Sequence, residues 1–475
     1  MMAGARDAAD RARVAVEGRV NERTVRLAVT GLSRAGKTVF LTSLVANLLA
    51  MGRDRRTLPA VQDALERGGA GRLRGVRLVP AGAGTTPRFD HAAKLAELAA
   101  DAPNWPARTD DLAEIALELE VAPRDGMAGY LRGLAGTPRI RLELLDYPGE
   151  WLLDLPLLAK GYAEWSRETV ALLRRPPRAE AARAFLECLA GLDPHRPADD
   201  ALIGRAHRLY KEALERCRRE HGLRYLQPGR FLCPGPRNDA PFLWFCPLDG
   251  APEAPRRGSL AERLHERFEA YKADMRAGFF DTHFRAFDRQ VVLVDTLGAL
   301  HAGRAAYEDT KRALAEVAAC LAGQGGLLGR LLGRAPIERV AFVATKADHV
   351  PELQRDNLLA LQRAMTRPAR AHGPGRDGAV SHHVAASVVS TRDGWLDHQD
   401  RPREAVVWGR KLGEVQQRAY RAGSVPVDDP PAGFWSGRYF ELPVFAPPPI
   451  DASGARGAPH LGLDRVLADL IGDRL

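Results

Sequence analysis

Cysteine is scarce in this 475-residue chain. The five present, Cys188, Cys217, Cys233, Cys246 and Cys320, are scattered without a Cys-x-x-Cys pair. That argues against a zinc site or a disulfide framework and fits a reducing cytoplasm. No run of about 18 or more apolar residues occurs, so no transmembrane segment is expected. The N-terminal stretch MMAGARDAADRARVAVEGRV has no apolar signal core, so secretion is not expected either. Repeats are absent. So are aromatic-basic interleaving and a helix-turn-helix pattern, and nucleic acid is therefore not an expected partner.

What is present suits a soluble globular protein. Hydrophobic residues make up 45% of the chain, enough for a sizeable core, and the length exceeds one typical domain. Lysine and arginine outnumber acidic residues 69 to 60, a net charge of +9. Most of the excess is arginine dispersed among Ala, Gly and Leu, a compositional bias that by itself names no partner.

The sharpest signal is GLSRAGKT at 31–38, with the spacing Gly-x4-Gly-Lys-Thr. TVRLAVT (24–30) before it reads as a strand, and KTVFLTSLVANLLA (37–50) after it as a helix. In that context the loop is expected to wrap phosphate with main-chain amides at a helix N-terminus. The expected cradle is Gly31, Ser33, Arg34, Ala35, Gly36, Lys37, Thr38 and Val39. Lys37 would bridge the β- and γ-phosphates, and the Thr38 hydroxyl would ligate Mg²⁺. The ligand this implies is a nucleoside triphosphate.

Further on, IERVAFVATKADHV (337–350) runs from a buried-type strand into Thr345-Lys346-Ala347-Asp348. The tetrapeptide looks like a guanine-specifying motif. A carboxylate at Asp348 can accept from both N1–H and the exocyclic amine of guanine, a donor pair adenine lacks, while the Lys346 stem packs over the base. SHHVAAS (381–387) ends in Ala386-Ser387, where a backbone N–H for guanine O6 is expected. Two Asp-x-x-Gly sequences compete as γ-phosphate sensor: Asp146 with Gly149, and Asp295 with Gly298. Counting elements favours Asp146. It leaves 290–294 as the strand needed before 339–344, and makes 113–121 and 139–145 an antiparallel pair; Asp295 is then a structural strand-end residue. Thr109, in NWPARTDD (104–111), is a candidate further Mg²⁺ ligand.

Arg34 inside the loop resembles the loop arginine of the guanylate-binding and atlastin class of large GTPases, which folds inward as an internal finger. It is a candidate for supplying transition-state charge. The usual water-positioning glutamine is absent after Gly149. Glu150 stands there instead, which points to slow intrinsic turnover.

Taken together, GLSRAGKTVFLTSL, WPARTDDL, LLDYPGEWLLDLPLL, LQPGRFLCPG, RVAFVATKADHV and PHLGLDRVLADLIGDRL resemble the YcjX-like family of bacterial P-loop proteins over nearly the whole chain. The resemblance implies a cytosolic GTP-binding protein with GTP/GDP and Mg²⁺ as ligands, associated with stress response. It also implies a protein effector, with an integral membrane protein as a candidate, and hence peripheral attachment at the inner membrane. Onto this sequence it carries Lys37, Thr38, Thr109, Asp146, Gly149, Thr345, Lys346 and Asp348.

The expected fold is α/β, a P-loop GTPase domain with a mostly parallel sheet flanked by helices and a large helical insertion. The expected divisions are an N-terminal segment (1–23), a first part of the core (24–175) and a mainly helical insertion (176–288). A second part of the core (289–395) and a C-terminal extension (396–475) follow. Amphipathic helices are expected near 203–222 and 259–280, each with an Arg/Glu face, and the tail after Gly394 reads as loop-rich up to a closing helix. GQGGLLGRLLGRAP (323–336) reads as a glycine-rich linker. The expected activity is Mg²⁺-dependent GTP hydrolysis driving a conformational switch. A P-loop ATPase and a nucleotide-stabilised scaffold with negligible turnover are the alternatives.

Overall fold

The alternating pattern of ERTVRLAVTG produces β1 (Glu22–Gly31), whose C-terminal half is buried on both faces. A computed structural model describes residues 22–475 apart from 54–55, 68–71, 82–85, 101, 108–110, 123–138, 235–239, 323–336, 368–379, 401 and 437–439. The first 21 residues, Thr109 and the glycine-rich stretch 323–336 thus lie outside the described residues.

β1 is the hub of a seven-stranded sheet of order β2-β3-β4-β1-β5-β6-β7. These strands are β2 (Arg72–Val79), β3 (Ala113–Ala122), β4 (Arg139–Asp146), β5 (Arg289–Val294), β6 (Arg339–Ala344) and β7 (Val380–Val384). β1 runs parallel to β4 on one side and to β5 on the other, with Val29 opposite Asp146 and Gly31 opposite Leu293. β6 and β7 continue the parallel half. β3 is antiparallel to β4, and β2 antiparallel to β3. The antiparallel pair and the strand at 289–294 fall where the element count put them, so Asp146 and Asp295 emerge on either side of β1 at one edge. Strand β2 was not anticipated. It is an edge strand with a register irregularity at Leu73/Gly75 and several exposed residues, the features that keep an edge from pairing with another chain.

One face of the sheet is covered by α1 (Lys37–Met51), α2 (Pro59–Arg67) and the C-terminal helix. Phe40, Leu44 and Leu48 of α1 share a core there with Val466, Leu467 and Leu470. α3 (His91–Ala99), capped by Asp90, which accepts from Ala93 N at 3.0 Å, packs on α1. The other face meets α4 (Tyr162–Leu173) and then the 176–288 stretch with α5 (Arg183–Ala190), α6 (Asp200–His221) and α7 (Leu260–Met275). Asp199 caps α6, and Ser259, with Glu262 three residues on, caps α7. α8 (Thr296–His301), α9 (Arg304–Ala322) and α10 (Arg355–Met365) complete this layer, and α11 (Leu463–Ile471) is the C-terminal helix.

The insertion does not carry a separate core. Trp165 stacks on Phe268 at 5.1 Å and Phe231 meets Phe245 at 4.9 Å, within one apolar cluster that also holds Val292, Val294 and Phe342 of the sheet. The helix expected to run to residue 280 stops at Met275 and continues as a π-turn, Arg276–Phe280. That turn swings Phe279 to 5.0 Å from Tyr147 and 5.3 Å from Trp151, so packing overrides the helical periodicity. The tail read as loop-rich contains a three-stranded antiparallel sheet of β8 (Thr391–Leu396), β9 (Glu404–Arg410) and β10 (Gln417–Tyr420).

Candidate functional site

Leaving β1 at Gly31, the chain makes a tight loop and enters α1 at Lys37, with Gly36 as N-cap in the left-handed region. The amide of Ala35 donates to the Leu32 carbonyl at 3.0 Å, and Lys37 Nζ donates to the Gly31 carbonyl at 3.1 Å. Arg34 is also left-handed, at φ 68°, one of two non-glycine residues with positive φ among those described. Its side chain is exposed and makes no ion pair among the described residues, so pairing with a nearby carboxylate is not its role here. A side chain held in this region costs about 1–3 kcal/mol, and such residues cluster at functional sites.

β4 delivers Asp146, fully buried, beside the loop. Past Pro148 the chain forms a 3-10 turn, Gly149–Asp154, with Glu150 buried in its first turn. Gly149 has no alternative residue: a methyl group on it would lie 2.0 Å from the Gly31 carbonyl oxygen. On the other side of this turn sits the insertion loop at 227–233. A methyl on Gly229 would lie 1.9 Å from the Glu150 carbonyl oxygen. Trp151 Nε1 donates to the Cys233 carbonyl at 2.9 Å, Gly229 N donates to Asp154 Oδ1 at 2.7 Å, and the Tyr271 hydroxyl donates to Asp154 Oδ2 at 2.6 Å. Phosphate loop, Asp-x-x-Gly turn and insertion are therefore nested backbone against backbone.

On the opposite flank, β6 ends at Thr345, whose amide donates to the Val294 carbonyl at 3.0 Å. Lys346 is the second left-handed residue, φ 60°. Its ammonium meets Asp295 Oδ2 at 2.6 Å. Asp295 also accepts from Gly298 N at 2.9 Å, capping α8. Burial pushes the Asp295 carboxyl up, but Lys346, the Gly298 amide and Arg224 outweigh it and hold the group below the usual range. Asp295 thus positions the Lys346 side chain. Asp348 is buried, and its Oδ2 accepts from the amide and hydroxyl of Ser390 at 2.8 and 2.9 Å.

These segments line one cleft of about 780 Å³, within the range of nucleotide-sized pockets. Ser33, Arg34, Ala35, Gly36, Lys37, Thr38 and Val39 form its floor, and Glu150 faces it. Thr345, Lys346, Asp348, Ala386 and Ser387 form the far wall. The Ala386 amide donates to the Leu461 carbonyl at 2.9 Å in a bridge with the C-terminal segment. Thr109 lies outside the described residues, though its neighbours Trp105 and Pro106 line the cleft.

Sequence reasoning missed several lining residues. Ser390 orients Asp348, and its only signal is its place shortly after the strand ending at Val384. Leu442, Pro443, Val444 and Phe445 close the rim from the C-terminal extension. Glu215, Arg218 and Arg219, from the end of α6, also line it. Arg224, just beyond, lies within electrostatic reach of Asp295, Arg34 and Glu150.

The model of the YcjX-like family, DUF463, matches residues 25–475. An Escherichia coli (strain K12) protein named Ras-like GTPase YcjX is 36% identical over 462 residues, covering 96% of each chain. A Shewanella oneidensis protein of the same name is 34% identical over 480 residues, again 96% of each.

Proposed function

Since this chain belongs to the YcjX-like family, we propose that it binds GTP, hydrolyses it with Mg²⁺ and uses the difference between the two nucleotide states as a conformational switch. The observation that carries this reading is the convergence of residues 33–39, Glu150, Thr345, Lys346 and Asp348 on one cleft. The main-chain amides of the loop and the Lys37 ammonium grip the phosphates, while the carboxylate of Asp348, steadied by Ser390, reads the guanine edge. Thr38 at the head of α1 and Asp146 at the end of β4 are buried oxygen donors beside the loop, the hard-ligand chemistry that fits Mg²⁺; Thr109 is the proposed further ligand. When bound, the ion supplies neutralisation of phosphate charge. Arg34 adds positive charge from the floor, and Glu150 orients the attacking water, a poor substitute for an amide side chain that makes turnover slow.

The switch reading is supported by the clamp between Gly149–Asp154 and the insertion loop. A γ-phosphate drawing in the Gly149 amide moves a segment that Gly229 and Tyr271 hold by its far end. On this basis the 176–288 region is the output element of a cytoplasmic protein. The family resemblance extends the proposal to a stress-linked role with a membrane-protein effector, to be tested by co-purification. No described helix is long and apolar enough to cross a membrane.

The decisive experiment is competition for labelled GTP in magnesium buffer. GDP displaces it, ATP does not, and Asp348→Asn shifts preference toward xanthosine triphosphate. Strong displacement by ATP assigns the cleft to an ATPase instead. Retention without phosphate release over hours reduces it to a nucleotide-stabilised scaffold.

A further inference from the structure

The stretch 203–222 presents arginines and glutamates along an amphipathic helix, and the ordinary reading of such a face is solvation. In the structure the last turns of α6 do something else. Glu215, Arg218 and Arg219 line the same cleft as Lys37 and Lys346. The turn that carries them is fixed: Gly222 ends the helix in the left-handed region at φ 66°, and the Leu223 amide donates back to the Cys217 carbonyl at 3.1 Å.

An arginine in a last helical turn has a simple structural use, because the terminal carbonyls carry partial negative charge. Arg219 and His221 occupy the same turn. Arg219 is largely exposed and donates to Glu220 at 3.2 Å. Arg218 differs. Its Nη1 is buried and makes no hydrogen bond among the described residues. A guanidinium N–H withheld from water and left without an acceptor is costly. The side chain is itself only partly buried and lines the cleft, so turning that N–H toward an acceptor-rich ligand there removes the cost.

The rest of the cleft narrows the ligand. The loop presents main-chain amides and the Lys37 ammonium, donors all. A ligand that satisfies the loop and Arg218 together needs several oxygen acceptors and several negative charges. A phosphate chain has both, and the planar guanidinium fork matches phosphate oxygens in pairs. We infer that Arg218 binds the phosphates of the nucleotide from the insertion side. This rests on the reading of the cleft as a guanine-nucleotide site and adds to it a residue supplied by the insertion. The bound nucleotide then bridges the phosphate loop and α6, and the insertion senses occupancy directly as well as through the 149–154 turn.

The test uses the full chain and equilibrium titration with GMP, GDP and a non-hydrolysable GTP analogue in magnesium buffer, with thermal unfolding run in parallel. Arg218→Ala weakens GDP and the analogue about tenfold or more, and the loss grows from GMP to GDP to the analogue. Arg218→Lys keeps the charge without the fork and recovers part of the affinity. Arg205→Ala, an exposed arginine on the same helix outside the cleft, stays at wild-type affinity. Affinities of Arg218→Ala within twofold of wild type for all three ligands overturn the inference, as does a loss equal for GMP and the analogue. Wild type that retains no guanine nucleotide overturns the underlying reading instead, so the two failures are told apart. Should Arg218→Ala unfold, Arg218→Lys still decides: an affinity unchanged across the series counts against a fork-to-phosphate contact.

Discussion

Asp348, the carboxylate proposed to read the base, is held by Ser390. Both Ser390 contacts fall on Oδ2, which fixes the plane of the group and leaves the rest of its lone pairs for a ligand. Ser390→Ala removes the hydroxyl contact and keeps the amide, so guanine affinity should fall about three- to tenfold with little change in global stability. Titration with GDP and with ADP checks this, and the loss should be confined to GDP. Arg34 is the mirror case, a residue kept where glycine would be easier. Arg34→Gly removes the left-handed penalty but frees the unfolded chain, a net gain of about 0.5–1 kcal/mol. Turnover should fall in the same variant. Urea unfolding with single-turnover phosphate release reads both, and a variant that loses stability or keeps full turnover sinks the idea.

Between single residues and the whole lies the clamp on the 149–154 turn. Gly229→Ala would drive a methyl into the Glu150 carbonyl, and because the obstacle is backbone the cost should be about 1–3 kcal/mol, with altered GTP turnover although residue 229 is not on the cleft. Asp154 gives the clamp a pH signature. Burial pushes its carboxyl up to about 6, against the pull of the Tyr271 hydroxyl and the Gly229 and Arg230 amides. In the unfolded chain the proton leaves near 3.8. From about pH 4 to 6 the folded protein therefore holds a proton the unfolded one has released, so this group's contribution falls as pH rises and is level above about 6. Wild type should lose Tm relative to Asp154→Asn across that interval, and a difference flat from pH 4 to 7 rules the assignment out. At this scale the sequence was legible where periodicity decides. The buried run RVAFVA and the alternation of TVRLAVT mark strands almost to the residue. It was opaque where partners decide. β8 (TRDGWL) has only Thr391 fully buried and depends on β9 across the ladder, and nothing in RCRREHG tells which arginine turns to the cleft.

Across the whole molecule, the C-terminal helix is tied to the sheet from beneath. Arg289 is fully buried at the start of β5 and donates to the Leu470 carbonyl at 2.7 Å and to Asp473 Oδ2 at 2.8 Å, while pairing with Glu338. Arg289→Ala removes a fully buried side chain and takes the donor from the Leu470 carbonyl, while the partly exposed Glu338 and Asp473 keep Arg474 and Arg339. The cost should be about 1–3 kcal/mol, seen as a lower urea midpoint, with the guanine preference of the folded fraction unchanged. The chain order of the core was foreseen because each parallel strand needs a crossover, whereas the reach of the 289–473 link spans too much sequence for local pattern to reveal.

The aromatic mass joining the insertion to the sheet has a mechanical consequence. Trp165, Phe245 and Phe268 lie in the same dry interior as Val292 and Phe342, so hinging the insertion outward like a jaw would flood that interior with water at about 1.5–3 kcal/mol for every large side chain wetted. Loading and release should instead proceed by slackening the lip around the end of α6 and residues 442–445, and spin labels placed on α7 and β6 should keep their separation in every nucleotide state.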